Sequence, residues 1–139
     1  MSGFLLDTNV VSEMTKHRPS PQVIAFLTHR TDLWLSSLVV HELEFGLYLA
    51  PPGRRRERLR ADLARFLGTY AHRILDLDRA SADWAARLRA DAVRSGRPAD
   101  LADMLIASTA LAHNLVVATR NVRGFEGVNV AVVNPWNYP

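Results

Sequence analysis

Five short apolar runs punctuate the chain, and each gives way to a polar residue. FLL runs into Asp7, LWLS into Ser37, RIL into Asp76, LVVA into Thr119 and VAVV into Asn134. Between them lie longer stretches whose apolar residues return every three to four positions, the spacing of a helix. Strands alternating with helices need crossover connections, so they build a mainly parallel sheet covered on both faces. In such a sheet ligands bind beyond the carboxyl ends of the strands. Asp7 and Thr119 are both expected there.

The periodicity predicts helices over residues 21–30, 38–50, 54–70, 80–94 and 101–113, with a turn or two over 8–15. Ser20 and Pro21 open the first of these as N-cap and first helical residue. Pro51-Pro52-Gly53 breaks the second, and Gly96 and Pro98 separate the last two. No internal repeat or low-complexity linker is visible. A length of 139 residues fits one domain over 1–139, able to bury roughly 70% of its unfolded surface.

Composition narrows the chemistry. There is no cysteine, which excludes disulfides and thiolate zinc sites. No basic leader precedes Asp7, and no apolar run approaches the roughly 20 residues of a membrane span. A soluble, cytoplasmic protein is expected. The formal net charge of +3 and pI near 9.9 suit a nucleic-acid partner without requiring one.

Three carboxylates stand in otherwise apolar elements. In LADMLIASTALA, residues 101–112, Asp103 is the sole charge. A helix apolar nearly all round is buried, and a buried carboxylate must be protonated, paired or bound to a cation. Capping explains part of this segment, with Asp100 as N-cap and Asp103 three residues on. The helix N-terminus is expected to favour an anionic Asp103. In LVVHELEFGLYLA, residues 38–50, a helical wheel places Glu42 among Leu38, Val39, Phe45 and Leu49. It places Glu44 beside His41 and Tyr48. Glu42 is therefore expected to face the core, Glu44 to face water, and His41 to lie on the surface with no role. Taken alone, Asp7 reads as the N-cap of the next helix; counted with Glu42 and Asp103, it reads as a cation ligand. Gathered in one pocket, the three acids would repel one another unless a divalent cation intervened. Oxygen-only donors point to Mg²⁺, or Mn²⁺, rather than zinc. Thr119 and Asn121 end the fourth run and are candidates to bind cation-coordinated water.

The segments LLDTNVVSE, SSLVVHELEFG and LADMLIASTALAHNLVVATRNVRGFEG resemble the PIN-domain ribonucleases, in particular the toxins of VapBC- or FitAB-type toxin–antitoxin pairs. The resemblance covers nearly the whole chain, in order and spacing. It implies a three-layer α/β/α sandwich. It implies a catalytic set of Asp7, Glu42, Asp103 and Asn121, with Mg²⁺ on the three acids and Thr119 behind them. It implies an RNA substrate, a homodimer, and neutralisation by a small antitoxin that inserts an Arg or another blocking group into the acidic site. Two positions depart from the family pattern. Asp100 stands where a neutral residue is usual and receives no role. Gly124 stands where N-x-x-D-F would supply another acid, which weighs against a second metal.

The chemistry so implied is phosphodiester hydrolysis by one or two metal ions, with no protein nucleophile. Arg120 and Arg123 are the basic groups nearest Asn121 in sequence. RRRERLR, residues 54–60, offers Arg54 and Arg55 for RNA, although a charge run on a helix is commonly a solvated face. Two other readings remain. An apolar strand ending in Asp also opens haloacid-dehalogenase-type phosphatases, but the second acid they need would fall at Asn9. A PIN-like module can also serve as a non-catalytic dimerising partner in a repressor complex.

Overall fold

The computed structural model describes residues 2–139. Its strands are β1 (Phe4–Leu6), β2 (Leu33–Ser36), β3 (Ile74–Leu75), β4 (Val116–Ala118) and β5 (Val132–Val133). They form one sheet in the order β3-β2-β1-β4-β5, and every pairing is parallel. The helices flank it as an α/β/α sandwich: α1 (Thr8–Glu13), α2 (Pro21–His29), α3 (Ser37–Leu49), α4 (Arg54–Thr69), α5 (Arg79–Arg94) and α6 (Leu101–His113). Short 3-10 turns occupy Val122–Phe125 and Pro135–Asn137. No helix among the described residues is long and apolar enough to cross a membrane.

The chain order fixes where a ligand can enter. From β1 the chain steps outward through β2 to β3, then returns to the other side of β1 for β4 and β5. The order therefore reverses between β1 and β4, and the crevice at such a reversal is the binding position of open α/β sheets. Leu6 pairs with Ala118 across it, so Asp7 and Thr119 emerge side by side. The Asp7 amide still donates to the Ala118 carbonyl at 2.9 Å, and the Thr119 amide to Val133 at 3.0 Å. Both residues are thus held by the ladder they terminate.

Beneath the crevice the core is apolar. Leu5, Leu6, Val10, Leu35, Ile106, Ala107 and Val117 are buried in one cluster. Helix α6 ends on Asn114 at φ 55°, a left-handed conformation that Asn tolerates. That residue turns the chain into Leu115, whose amide bonds back to Ala110 at 2.9 Å. The helices fall within a residue of the predicted bounds except α1, which stops at Glu13 rather than Thr15. There the Glu13 carboxylate accepts the Ser20 amide at 2.8 Å and pairs with Lys16 at 2.8 Å. These contacts turn the chain away toward α2.

Candidate active site

Asp7 is 8% exposed, and each of its carboxylate oxygens has a partner. Oδ1 accepts the Thr8 amide at 2.8 Å, and Oδ2 accepts the Thr119 hydroxyl at 2.8 Å. Thr119 Oγ1 in turn accepts from Asn9 Nδ2 at 3.1 Å and from the Asn121 amide at 3.0 Å. One donor and two acceptor positions exhaust a threonine hydroxyl. Thr119 therefore orients Asp7 and is not free to bind the water expected of it. Asn9, which carried no site role in the sequence reading, closes the network: its Oδ1 accepts the Arg120 amide at 3.1 Å. The D-x-N spacing was the available signal. Burial raises the Asp7 pKa, the bonds from Thr119 and Thr8 pull it back, and the charge of Asp100 raises it further. The cap of α1 and the floor of the crevice are one residue.

Asp103 behaves differently. Asp100 caps α6 by accepting the Asp103 amide at 3.0 Å, but no hydrogen bond to the Asp103 carboxylate is formed among the described residues. The capping box is half made, and the Asp103 side chain is not spent on it. Its pKa is raised to about 6, chiefly by burial and then by Asp100, Asp7 and Glu42. Burial and three nearby acids outweigh the pull of the helix N-terminus toward the anion.

Glu42 corrects the helical wheel. The core face of α3 is Val39, Leu43 and Leu47, whereas Phe45 is 57% and Leu49 68% exposed. Half-buried Glu42 therefore sits at the edge of the core face, with Leu38 and Val39 packed inward and Phe45 and Leu49 turned outward. The wheel's face overlaps the core face at Val39, and the rest of the core face lies beside it at Leu43 and Leu47. Glu42 and Glu44 flank the core face on opposite sides. Glu42 lines a concavity of about 540 Å³ together with Asp7, Asn9, Asp100, Asp103 and Asn121, and Glu44 does not. Among the described residues, no three acidic or histidine side chains stand close enough together to hold one ion without rearrangement.

The fourth corner is shaped by Gly124. A Cβ there would fall 2.6 Å from Asn121 Nδ2 and overlap the Asp103 carboxylate. With no side chain of its own, Gly124 thus leaves the space in which Asp103 and Asn121 sit. Arg120 is exposed, and its guanidinium lies 5.1 Å from the Trp136 ring centre. Neither Arg120 nor Arg123 lines the acidic concavity. Arg54 and Arg55 belong to a separate groove.

Residues 4–130 match the PIN domain family. The chain belongs to that family. The PIN match contains Asp7, Glu42, Asp103 and Asn121. Among relatives, the VapC ribonuclease Y4jK of Sinorhizobium fredii is 39% identical, over 95% of this chain and 96% of its own. Toxin FitB of Neisseria gonorrhoeae is 39% identical, over 96% of this chain and 98% of its own. A solved structure of FitAB bound to an IR36 DNA fragment superposes with a TM-score of 0.91 at 36% identity, covering 98% of this chain and 97% of that one. The PIN fold accounts for the sheet order and for the crevice at its switch point.

Proposed function

We propose that this PIN-domain protein is a Mg²⁺-dependent ribonuclease that hydrolyses RNA phosphodiester bonds and is held inactive by a small antitoxin. The observation that carries the reading is Asp103. Its half-buried carboxylate accepts no hydrogen bond among the described residues and faces the charges of Asp7, Asp100 and Glu42. Structure alone gives that arrangement no stabilising purpose, because like-charged carboxylates disfavour one another's ionisation. The donor set fits a hard cation: carboxylates, an amide oxygen and no thiolate. Thr8 Oγ1, buried without a partner, adds an unspent oxygen at the same concavity.

In this reading Asp7, Glu42 and Asp103 hold Mg²⁺, or Mn²⁺ in its place. Asp7 is fixed by Thr119 and Asn9, whereas Glu42 and Asp103 must turn about their side-chain bonds to complete the set. The bound ion supplies a lowered pKa for its water and neutralises charge on the phosphate. Asn121, which lines the same concavity, would orient the phosphate or the attacking water. The ribonuclease named among the relatives supports an RNA substrate, and the FitAB structure supports a partner protein. An Arg from that partner can substitute for a cation among three carboxylates through paired, charge-assisted hydrogen bonds. A homodimer belongs to the same proposal, since Phe45, Tyr48 and Leu49 on α3 are all more than half exposed and such patches mark contact surfaces.

The purified chain is expected to cut RNA in Mg²⁺ and to stop in EDTA. Glu42→Gln should abolish cutting, while Glu44→Gln should leave it near the parent level. Equal loss in both variants overturns the assignment of Glu42. A parent that cuts no RNA with either Mg²⁺ or Mn²⁺ favours the non-catalytic partner instead.

A further inference from the structure

A second concavity, of about 810 Å³, exceeds the acidic one in size. Met14, Thr15, Lys16 and His17 form one wall, and the Pro51-Pro52-Gly53 turn with the start of α4 forms the other. The second wall carries Arg54, Arg55, Arg56 and Arg58. The other two charges on the groove are already answered: Lys16 by Glu13 at 2.8 Å, and Asp62 by Arg65 at 3.5 Å.

The four arginines are not an ordinary solvated face. Further along the same helix, Arg60 pairs with Glu57 and Arg65 with Asp62. On α5, Arg87 pairs with Asp83 and Arg94 with Asp91. Arg54, Arg55, Arg56 and Arg58 have no carboxylate partner among the described residues. They also stand at the N-terminus of α4, where the helix dipole disfavours cations. The N-cap there is Gly53, which gives the first amides no side-chain partner. Arg56 Nε is buried without an acceptor. Like charges, an opposed dipole and unspent donors all favour an anion with several regularly spaced charges. The groove also lies one short helix from the acidic concavity: Ser12 lines the latter, and Met14 lines the former. The six residues of α1 span only about 9 Å.

We propose that this groove is the track for the RNA strand beside the cleaved bond, its phosphates held by Arg54, Arg55, Arg56 and Arg58. The inference rests on the ribonuclease reading, and it names how an acidic site retains an anionic substrate.

The test measures binding in EDTA, where no strand is cut. Fluorescence anisotropy of a labelled polyuridine strand is followed against salt for three proteins. These are the parent, a variant with all four arginines changed to Gln, and a control with Arg87, Arg89 and Arg94 on α5 changed to Gln. The salt slope of the α4 variant should fall by about 0.7 per lost single-strand phosphate contact, and the α5 control should keep the parent slope. Changing the four arginines to Lys instead should retain binding, and single Arg54→Gln and Arg55→Gln variants read the same slope if the fourfold change does not fold. Equal loss in the α4 and α5 variants, or no loss in either, overturns the proposal. So does a labelled polyglutamate that binds the parent as tightly as the RNA and is lost in the α4 variant, since the groove would then take an acidic protein segment. Cleavage by the parent in Mg²⁺ is scored separately. Its absence removes the ribonuclease reading, while the binding series still decides whether the groove holds RNA.

Discussion

At one end of α1 the charges are short, few and held. At the other they are long, numerous and loose. Asp7 is buried and bonded on both oxygens, fixed by a threonine whose hydrogen bonds are all spoken for. Arg54, Arg55 and Arg58 are exposed and lack carboxylate partners. The first arrangement suits chemistry, which needs atoms placed within fractions of an ångström. The second suits a polymer backbone, which needs charge over a length and tolerates movement. Substitutions at the two ends should therefore differ in kind.

The largest difference is expected in turnover. Asp7→Asn should lower RNA cleavage by more than the roughly 10–100-fold that loss of a group supporting a metal ligand costs. Thr119→Val, which removes such a supporting group, should fall within that range. Arg54→Gln should change kcat little and act through KM. Single-turnover kinetics at saturating RNA decide the matter. If Arg54→Gln lowers kcat as far as Thr119→Val does, the contrast between the two ends of α1 fails.

Gly124 sharpens the comparison from inside the acidic end, because it bears no chemical group. The atoms a Cβ would meet are the tips of Asp103 and Asn121. Such side-chain ends can swing aside at little cost to the fold. Gly124→Ala should melt close to the parent yet lose up to about 100-fold in cleavage, the scale that a misplacement of about 1 Å can carry. A variant that keeps full activity shows that the positions of Asp103 and Asn121 in the crevice do not limit the reaction.

Much of the acidic end was legible in the sequence, and the reason is contrast. Asp103 is the only charge in an apolar helix and Asp7 ends an apolar strand, so each stood out against its surroundings. The sheet was legible for the same reason, since apolar runs separated by helical spacing leave few ways to connect. Glu42 was found by a wrong argument. The wheel grouped Phe45 and Leu49, which are exposed, with Leu38 and Val39, which pack inward, because periodicity ranks apolar faces without saying what covers them. Asn9 was passed over because a polar residue after a strand looks like any turn. The basic groove was hidden most deeply. RRRERLR reads the same whether its charges face open water or a cleft, and Lys16 and His17 approach it only through the fold.

A smaller effect separates the ends by pH. The Asp103 pKa, raised to about 6, lies above its unfolded value of about 4. Between those values the folded state binds more protons than the unfolded one, so stability must fall as pH rises through that window. Asp7, shifted in the same direction, adds to the slope. Glu13 works the other way: its pKa is lowered by the Lys16 and Ser20 bonds, and its contribution fades at lower pH still. In EDTA the parent should melt higher near pH 5 than near pH 7, and Asp103→Asn should flatten that difference. The groove arginines do not line the acidic concavity, so replacing them by Gln should leave the profile in place. A parent whose melting temperature rises steadily from pH 5 to 7 contradicts the crowding of Asp103.

The smallest effect concerns two acids three residues apart, and it decides whether the helix end is a cap or part of the site. Asp100 caps α6 through the Asp103 amide, and replacing a cap by Ala costs about 0.5–2 kcal/mol. Asp100 also repels Asp103, so its removal returns part of that cost. Asparagine caps as well as aspartate does, but without the charge. In EDTA, Asp100→Asn should therefore melt at or slightly above the parent, and Asp100→Ala below it. Asp103 holds no cap, so Asp103→Asn should melt at or above the parent as well. Mg²⁺ then separates the pair, because a ligand that binds only the folded state raises its stability. Added Mg²⁺ should lift the melting temperature of the parent and of both Asp100 variants, and lift Asp103→Asn far less. If Asp103→Asn is destabilised in EDTA and still answers Mg²⁺ as the parent does, its carboxylate serves the helix end, and the acidic concavity loses the residue on which its reading as a metal site depends.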